Sequence, residues 1–328
     1  MPFFVNGFVG GATSKMFRSI TTINKLIYFI SYFIAAVIVL SIVLSIVIFM
    51  LNHMGEDRIW EESSNMSNES NDNTGQMTDL DANGFCICKN VLDESEIADL
   101  KGDCEHDNYK AAKEKLIKNE HLNHIIKSLT GGENYIFQDY IWIIQKSSVH
   151  TCHRDNNGDF FNENQQYPSY TMLIYLEDME KCLGVIPNSH KYISSYSVNL
   201  TDPVANILCN KGDVILFNAN LIHVGTINKK NDNIRIQMKV SHKDDINTLS
   251  YYQNFNKVLN QDNTIPVYAR QIQKKASCMF PIFANITQSA NIQSARGSDN
   301  GAKIGIPQKL FSYVFYGNKD FYDLPNAF

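Results

Sequence analysis

The chain has no surplus of positive charge. Its 328 residues carry 29 Lys and Arg against 34 Asp and Glu, a formal net charge of −5 at pH 7. That balance supplies no basic field and excludes a nucleic-acid partner. The cysteines lack metal-ribbon or redox spacing: seven are present, all after residue 51, and Cys86-x-Cys88 fits neither a zinc ribbon nor a CxxC unit. An odd number leaves at least one thiol unpaired in an oxidising compartment, so buried thiols with a disulfide are the plain reading. With 44% hydrophobic residues, the chain suits one medium domain plus accessories and not a disordered protein.

A long apolar run is present. Leu26 to Leu51 (LIYFISYFIAAVIVLSIVLSIVIFML) contains no charge, and as a helix its 26 residues reach about 39 Å, enough to cross a hydrocarbon core of roughly 30 Å with tilt. It is long for a signal-peptide core, and no small-x-small cleavage site follows it. The expectation is therefore a transmembrane helix over 26–51. Lys15, Arg18 and Lys25 precede it without an acid, whereas GEDRIWEES follows it. This bias predicts a cytoplasmic tail over 1–25 and a type II protein with its large C-terminal part lumenal or extracellular. Residues 52–78 are polar and Asn/Ser-rich and read as a flexible stalk. Sequons stand at Asn65, Asn68, Asn199 and Asn285, sites of glycosylation if the domain is lumenal.

Folding signals begin at residue 79. In GFCICKNVLDESEIADL, a short apolar run feeds a helix capped by Asp93, with Glu96 three residues on. More helix is expected as far as Leu129, ended by Gly131-Gly132. The period then changes. YIFQDYIWIIQKS, SYTMLIYLED, GDVILFNANLIHVG and NIRIQMKVSH are short, rich in β-branched and aromatic residues, and separated by turn residues. Without helices between them they predict a mainly β, antiparallel sandwich or barrel over 79–245, preceded by flanking helices. Residues 246–328 are a mixed extension expected to pack on the barrel.

The segment HTCHRDNNGDF, residues 150–160, admits three chemistries. A kinase catalytic loop needs Asn five residues after its Asp, but Phe160 stands there, and no Gly-rich loop precedes it. A zinc knot built on His150, Cys152 and His153 lacks a second ligand pair at sensible spacing. The third is an iron site. On a strand, His153 and Asp155 share a face while Cys152 and Arg154 point away. His223, at the end of a later strand, supplies a second imidazole. Two His and one carboxylate on one face of Fe(II) leave three positions, two for a chelating cosubstrate and one for O2. Twelve residues on, Arg235 shares a face with Gln237 and Lys239, and an inward guanidinium would hold a carboxylate by paired hydrogen bonds. Parity alone does not say which face is inside.

These pieces resemble the phytanoyl-CoA dioxygenase (PhyH-like) family of Fe(II)/2-oxoglutarate oxygenases. GFCICKNVLDESEIADL, the HRD triplet, LGVIPNSHK, GDVILFNANLIHVGTIN and RIQ occur in the family's order over about residues 79–242. The resemblance implies a double-stranded β-helix (jelly roll) with His153, Asp155 and His223 on iron and Arg235 on the distal carboxylate of 2-oxoglutarate. O2 is then a cosubstrate and ascorbate an auxiliary reductant. Asp155 in place of a small residue favours hydroxylation over halogenation. Gln145, Lys146 and Thr171 are further candidates for contact with 2-oxoglutarate, whereas Ser189 and His190 look loop-fixing and His150 falls off the site. Two positions depart from the family: Asn188 replaces a loop glycine, tolerable because Asn also enters left-handed backbone, and Lys181 stands where Gly is frequent. Nothing resembles a CoA-binding patch, so a small-molecule, lipid, glycan or protein substrate stays open. A non-catalytic membrane-tethered jelly roll and a cupin-type metalloenzyme are the alternatives.

Overall fold

The computed structural model describes residues 28–45, 58–60, 80–155, 165–191, 204–228, 233–246, 256–279 and 305–322. It divides into two compact units, Met1–Gly55 and Glu56–Phe328. The first contains helix α1 (Tyr28–Ser45), whose mean hydropathy of 2.4 and 18 residues are apolar and long enough to cross a membrane by composition and length. Its side chains are exposed all round. The rest of the 26–51 run, most of the 52–78 stretch and all four sequons lie outside the described residues.

The second unit opens with a short strand inside the stretch read as a stalk. Strand β1 (Arg58–Ile59) pairs in parallel with β7 (Ala205–Ile207), and the Trp60 ring meets Phe85 edge-on at 5.0 Å. Trp60 is an apolar residue in polar surroundings, and packing it against the core brings the folded unit back to Arg58.

Strand β2 (Phe85–Cys88) leads to three helices: α2 (Glu94–Glu105), α3 (Tyr109–Lys118) and α4 (Glu120–Thr130). Asp93 and Glu96 form the reciprocal capping box expected of their spacing. Gly131, at φ 78°, ends α4 in the left-handed conformation. Ile97, Leu100, Leu116, Leu122, Ile126 and Leu129 turn inward and share a core with Met172, Ile174, Leu216, Ile236, Met238 and Val240. The helices thus cover the outer face of one sheet.

That sheet runs β2–β8–β5–β10–β3, where β8 is Val214–Asn218, β5 Tyr170–Tyr175, β10 Arg235–His242 and β3 Tyr135–Phe137; β4 (Trp142–Ile144) also pairs with β10. The second sheet runs β1–β7–β6–β9, with β6 Leu183–Val185 and β9 His223–Gly225. Every strand pair except β1–β7 is antiparallel. An isolated bridge joins His153 to His223 and extends the smaller sheet. From β4 to β10 the chain crosses repeatedly between the sheets, so their inner faces meet: Phe85, Leu173, Tyr175, Ile215 and Phe217 of one pack with Leu183, Val185, Ala205 and Ile207 of the other.

The two cores settle the parity of β10. Ile236, Met238 and Val240 face the helices, so Arg235, Gln237 and Lys239 face the space between the sheets.

Beyond residue 246, helices α5 (Asn256–Leu259), α6 (Val267–Met279) and α7 (Ile306–Tyr316) are described. Val258, Tyr316, Phe321 and Tyr322 build a separate core with Tyr140 and Trp142. A disulfide joins Cys152 to Cys278 on α6, across 126 residues, while Cys88, Cys104, Cys182 and Cys209 are buried thiols. A cross-link over so long a loop restricts the unfolded chain strongly, so Cys278→Ser should cost about 2–4 kcal/mol. Urea unfolding under oxidising conditions checks this. An unchanged midpoint would mean that packing and hydrogen bonds alone hold α6.

Candidate metal centre

His153 and His223 are brought together by backbone geometry. The His153 N–H donates to the His223 carbonyl and the His223 N–H to the His153 carbonyl, both at 2.9 Å, so the two rings lie 4.3 Å apart, centroid to centroid. Each ring is anchored in the same way. The Nδ1 of His153 bonds the Thr151 carbonyl at 2.9 Å and that of His223 the Leu221 carbonyl at 3.0 Å. A carbonyl only accepts, so each Nδ1 carries a proton and each Nε2 is the ring nitrogen turned to the cluster. Those Nε2 atoms lie 3.7 and 3.5 Å from Asp155 Oδ1.

The other Asp155 oxygen is held separately. Oδ2 accepts from Thr171 Oγ1 at 2.6 Å and from Lys239 Nζ at 2.5 Å. Burial works to raise the Asp155 carboxyl, but the Lys239 ammonium and then the imidazoles outweigh it and hold the group well below the usual carboxylate range. Burial, helped by His223, pulls His153 down to about 4, so the imidazole is neutral. One ligand atom from each of the two imidazoles and one carboxylate oxygen lie within 4.8 Å of one another. Donor chemistry and outer hydrogen bonds both fit a divalent metal of the iron, nickel or zinc group.

Arg235 sits on the same inner face as Lys239, four residues along β10. It is buried, and its guanidinium donates to the Lys146 carbonyl at 3.2 Å and the Asn233 carbonyl at 3.4 Å. Among the described residues no carboxylate pairs with it. A buried guanidinium satisfied only at two carbonyls fits an incoming carboxylate.

The remaining sequence candidates touch the site differently. Thr171 reaches Asp155 itself. Gln145 and Lys146 give their backbone N–H groups to Asn260 Oδ1, and the Lys146 ammonium turns outward to Asp262. Ser189 accepts from the Ile222 N–H at 2.8 Å, and His190 bonds the Asp81 carbonyl. Asn188 adopts φ 66°, the left-handed backbone a glycine would otherwise provide. Near Lys181, Asn228 fixes the turn by accepting the Lys181 N–H and donating to its carbonyl. His150 is buried away from the cluster, against Gln273 and Tyr316.

Sequence reasoning did not assign Lys239 to the centre. Its signal was its shared parity with Arg235, legible once the inner face is known. Lys239→Met would strand the Asp155 carboxylate in a buried place, destabilising the metal-free protein by about 3–5 kcal/mol. Saturating Mn2+ should recover part of the loss by binding the folded state. Differential scanning calorimetry with and without metal reads both, and an unchanged metal-free midpoint refutes the ion pair's role.

The model of the family "Phytanoyl-CoA dioxygenase (PhyH)" matches residues 106–236, a span that includes His153, Asp155, His223 and Arg235. Among solved structures, AviO1 from Streptomyces viridochromogenes is similar over 53% of this chain and 96% of its own, at 18% identity and TM-score 0.42. The epimerase SnoN from nogalamycin biosynthesis, in complex with Fe3+, alpha ketoglutarate and nogalamycin RO, is similar over 52% and 83%, at 12% identity and TM-score 0.44. HygX from Streptomyces hygroscopicus, with nickel and 2-oxoglutarate bound, is similar over 51% and 86%, at 16% identity and TM-score 0.42. No curated protein matches the chain. The similarity to the phytanoyl-CoA dioxygenase (PhyH) family model is thus confined to residues 106–236, the part of the chain that contains the His153–Asp155–His223 cluster.

Proposed function

We propose that the chain is an Fe(II)/2-oxoglutarate-dependent dioxygenase that hydroxylates its substrate and releases succinate and CO2. The observation that carries this reading is the His153–Asp155–His223 cluster, its three ligand atoms within 4.8 Å, with the buried Arg235 on the inner face of the opposite sheet. Strand order supports a double-stranded β-helix around that cluster. Bound iron, with 2-oxoglutarate and O2, supplies oxidation of a C–H bond coupled to decarboxylation of the cosubstrate.

In this reading His153, Asp155 and His223 hold the metal through Nε2, Oδ1 and Nε2. Thr171 and Lys239 hold Asp155 Oδ2 and so would leave Oδ1 as the oxygen offered to the metal. Arg235 binds the distal carboxylate of 2-oxoglutarate. Gln145 and Lys146 contribute through the backbone: the Lys146 carbonyl accepts from Arg235 and so sets the guanidinium's direction. Residues 26–51 anchor the domain in a membrane as a type II protein with the catalytic part lumenal or extracellular, a reading supported by the exposed apolar helix α1 and the preceding Lys15, Arg18 and Lys25. Residues 79–245 form the dioxygenase jelly roll and 246–328 an extension that buttresses it.

Anaerobic addition of Fe(II) and 2-oxoglutarate should produce a weak visible charge-transfer band, and oxygen should then yield succinate. His153→Ala should remove the band and lower succinate formation by at least a hundredfold. A jelly roll that serves only as a binding surface gives neither signal, and a cupin-type metalloenzyme binds metal without consuming 2-oxoglutarate. For orientation, expression in a glycosylating cell should give a mass shift removed by an N-glycosidase and abolished by changing Asn65, Asn68, Asn199 and Asn285 to Gln. An unshifted, membrane-bound protein whose domain is digested from the cytosolic side would reverse the topology.

A further inference from the structure

Cys182 and Cys209 meet at the ends of one strand pair. Cys182 immediately precedes β6 and Cys209 lies two residues past β7, where Leu183 stands opposite Ile207 in the antiparallel register. The Cys182 N–H extends that ladder by donating to the Ile207 carbonyl at 3.0 Å. Beyond this point the two cysteines bond to each other. The Cys209 N–H donates to Cys182 Sγ at 3.1 Å, and the same thiol donates to the Cys209 carbonyl at 3.4 Å. A Cα lies about 1.5 Å from its own nitrogen, so the Cys182 sulfur stands within about 5 Å of the Cys209 Cα. Side-chain rotation then suffices to join the two sulfurs.

The backbone on both sides is held without the thiols. Thr226 and Asn228 fix Lys181, before Cys182, and Asp213 accepts from the Asn210 N–H, after Cys209, at 2.9 Å. Both cysteines belong to the core around Leu183 and Ile207, yet Leu208 and Asn210 on either side of Cys209 are exposed. The pair therefore lies just beneath the surface.

An ordinary buried thiol packs as a small hydrophobe. Cys104 on α2 is of that kind, its thiol pushed up to about 12 by burial. At Cys182 the hydrogen bond from the Cys209 thiol, with the Cys209 N–H and Arg235 behind it, outweighs burial and holds the thiol below its ordinary range. The same hydrogen bond, together with burial, pushes Cys209 up. One sulfur is thus disposed to become a thiolate and its neighbour to keep a proton, the asymmetry of an attacking and a resolving thiol.

We propose that Cys182 and Cys209 form a second disulfide, made by exchange with a small-molecule or protein disulfide. The Cys182 thiolate attacks one sulfur of the donor, giving a mixed disulfide and one released thiol. The Cys209 sulfur then gives up its proton, attacks the Cys182 sulfur and expels the second thiol. Two cysteines are oxidised, one donor disulfide is reduced, and the two protons end on the released thiols. The cross-link closes 27 residues of chain and ties β7 to β6, the strand on which Val185 stands opposite His223. It therefore braces the sheet that carries His223. The exchange is independent of the proposed activity; the supply of disulfide in the cell rests on the lumenal orientation proposed above.

The test uses the full chain in detergent, reduced and then equilibrated in glutathione buffers of rising oxidised fraction. Acid quenching, unfolding, alkylation and mass spectrometry of a digest read each cysteine. We expect a Cys182–Cys209 linked peptide to appear as the buffer becomes oxidising, with Cys104 alkylated throughout. Cys209→Ser should trap a glutathione adduct on Cys182, whereas Cys182→Ser should leave Cys209 unmodified. If Cys182 and Cys209 are still alkylated in a buffer that links Cys152 to Cys278, or if Cys182 links to another cysteine, the inference is overturned. An adduct on Cys209 alone reverses the order of attack and overturns that assignment. Free thiols in protein taken directly from cells, with the disulfide formed in the buffers, would count against the lumenal orientation and leave the inference standing.

Discussion

The reciprocal main-chain hydrogen bonds between His153 and His223 place two imidazoles side by side, and everything proposed for the centre depends on that register. Pairing fixes which residues face each other, and the alternation of a strand fixes which share a side. From this one bridge Asp155 follows two residues after His153 on the same side. A slip of one residue would send His223 to the opposite face and bring Val224 to the cluster. The rings are then oriented by their own strands, each Nδ1 bonding a carbonyl two residues back, so ligand direction needs no remote partner.

The interior behind this bridge is unusual in its charge. Arg235, Lys239 and Asp155 all project between the sheets, where an isolated ion is costly. Asp155 and Lys239 neutralise one another at 2.5 Å, whereas Arg235 has only carbonyls. The neighbouring Tyr175 hydroxyl is another donor without an acceptor among the described residues. The metal-free interior is therefore rich in donors, and a site of that composition favours an anion over a neutral ligand. Its strain is local: the surrounding Leu173, Ile215 and Phe217 are ordinary apolar packing, which stabilises the sandwich independently of what the centre binds.

The strand runs, the capping box at Asp93 and Glu96, and the left-handed Asn188 were readable in the sequence because each depends on local chemistry: alternation, a cap three residues before its partner, a residue type that tolerates positive φ. His153, Asp155 and His223 were readable because parity and order sufficed. The inner face of β10 was not, since Arg235, Gln237 and Lys239 read equally well as a solvated stripe; only the covering of Ile236, Met238 and Val240 by α2–α4 resolves it. Lys239 was passed over for the same reason. The Cys152–Cys278 pairing depends on a contact across 126 residues, which no local pattern encodes. Trp60 shows the converse, an aromatic residue whose place to pack against Phe85 is hidden by the polar average of its surroundings.

The extension after residue 246 shows how the two-sheet fold tolerates an irregular lead-in to His153 and Asp155. Residues 145–152 lie between β4 and the His153 bridge without a strand assignment, and a buried backbone must still satisfy its polar groups. The extension supplies the partners. Asn260 accepts from the Gln145 and Lys146 N–H groups while donating to the Ile143 carbonyl. Arg270 donates to the Ser147 carbonyl, Asn263 to the Ser148 carbonyl, and the Cys152 N–H donates to Ser277 Oγ. Side chains thus perform for this segment what a neighbouring strand performs elsewhere, and Cys278 fixes the last of them covalently to the residue before His153. Because the Lys146 carbonyl is also the acceptor that aims Arg235, one brace orients both the His153 end and the Arg235 end of the same interior.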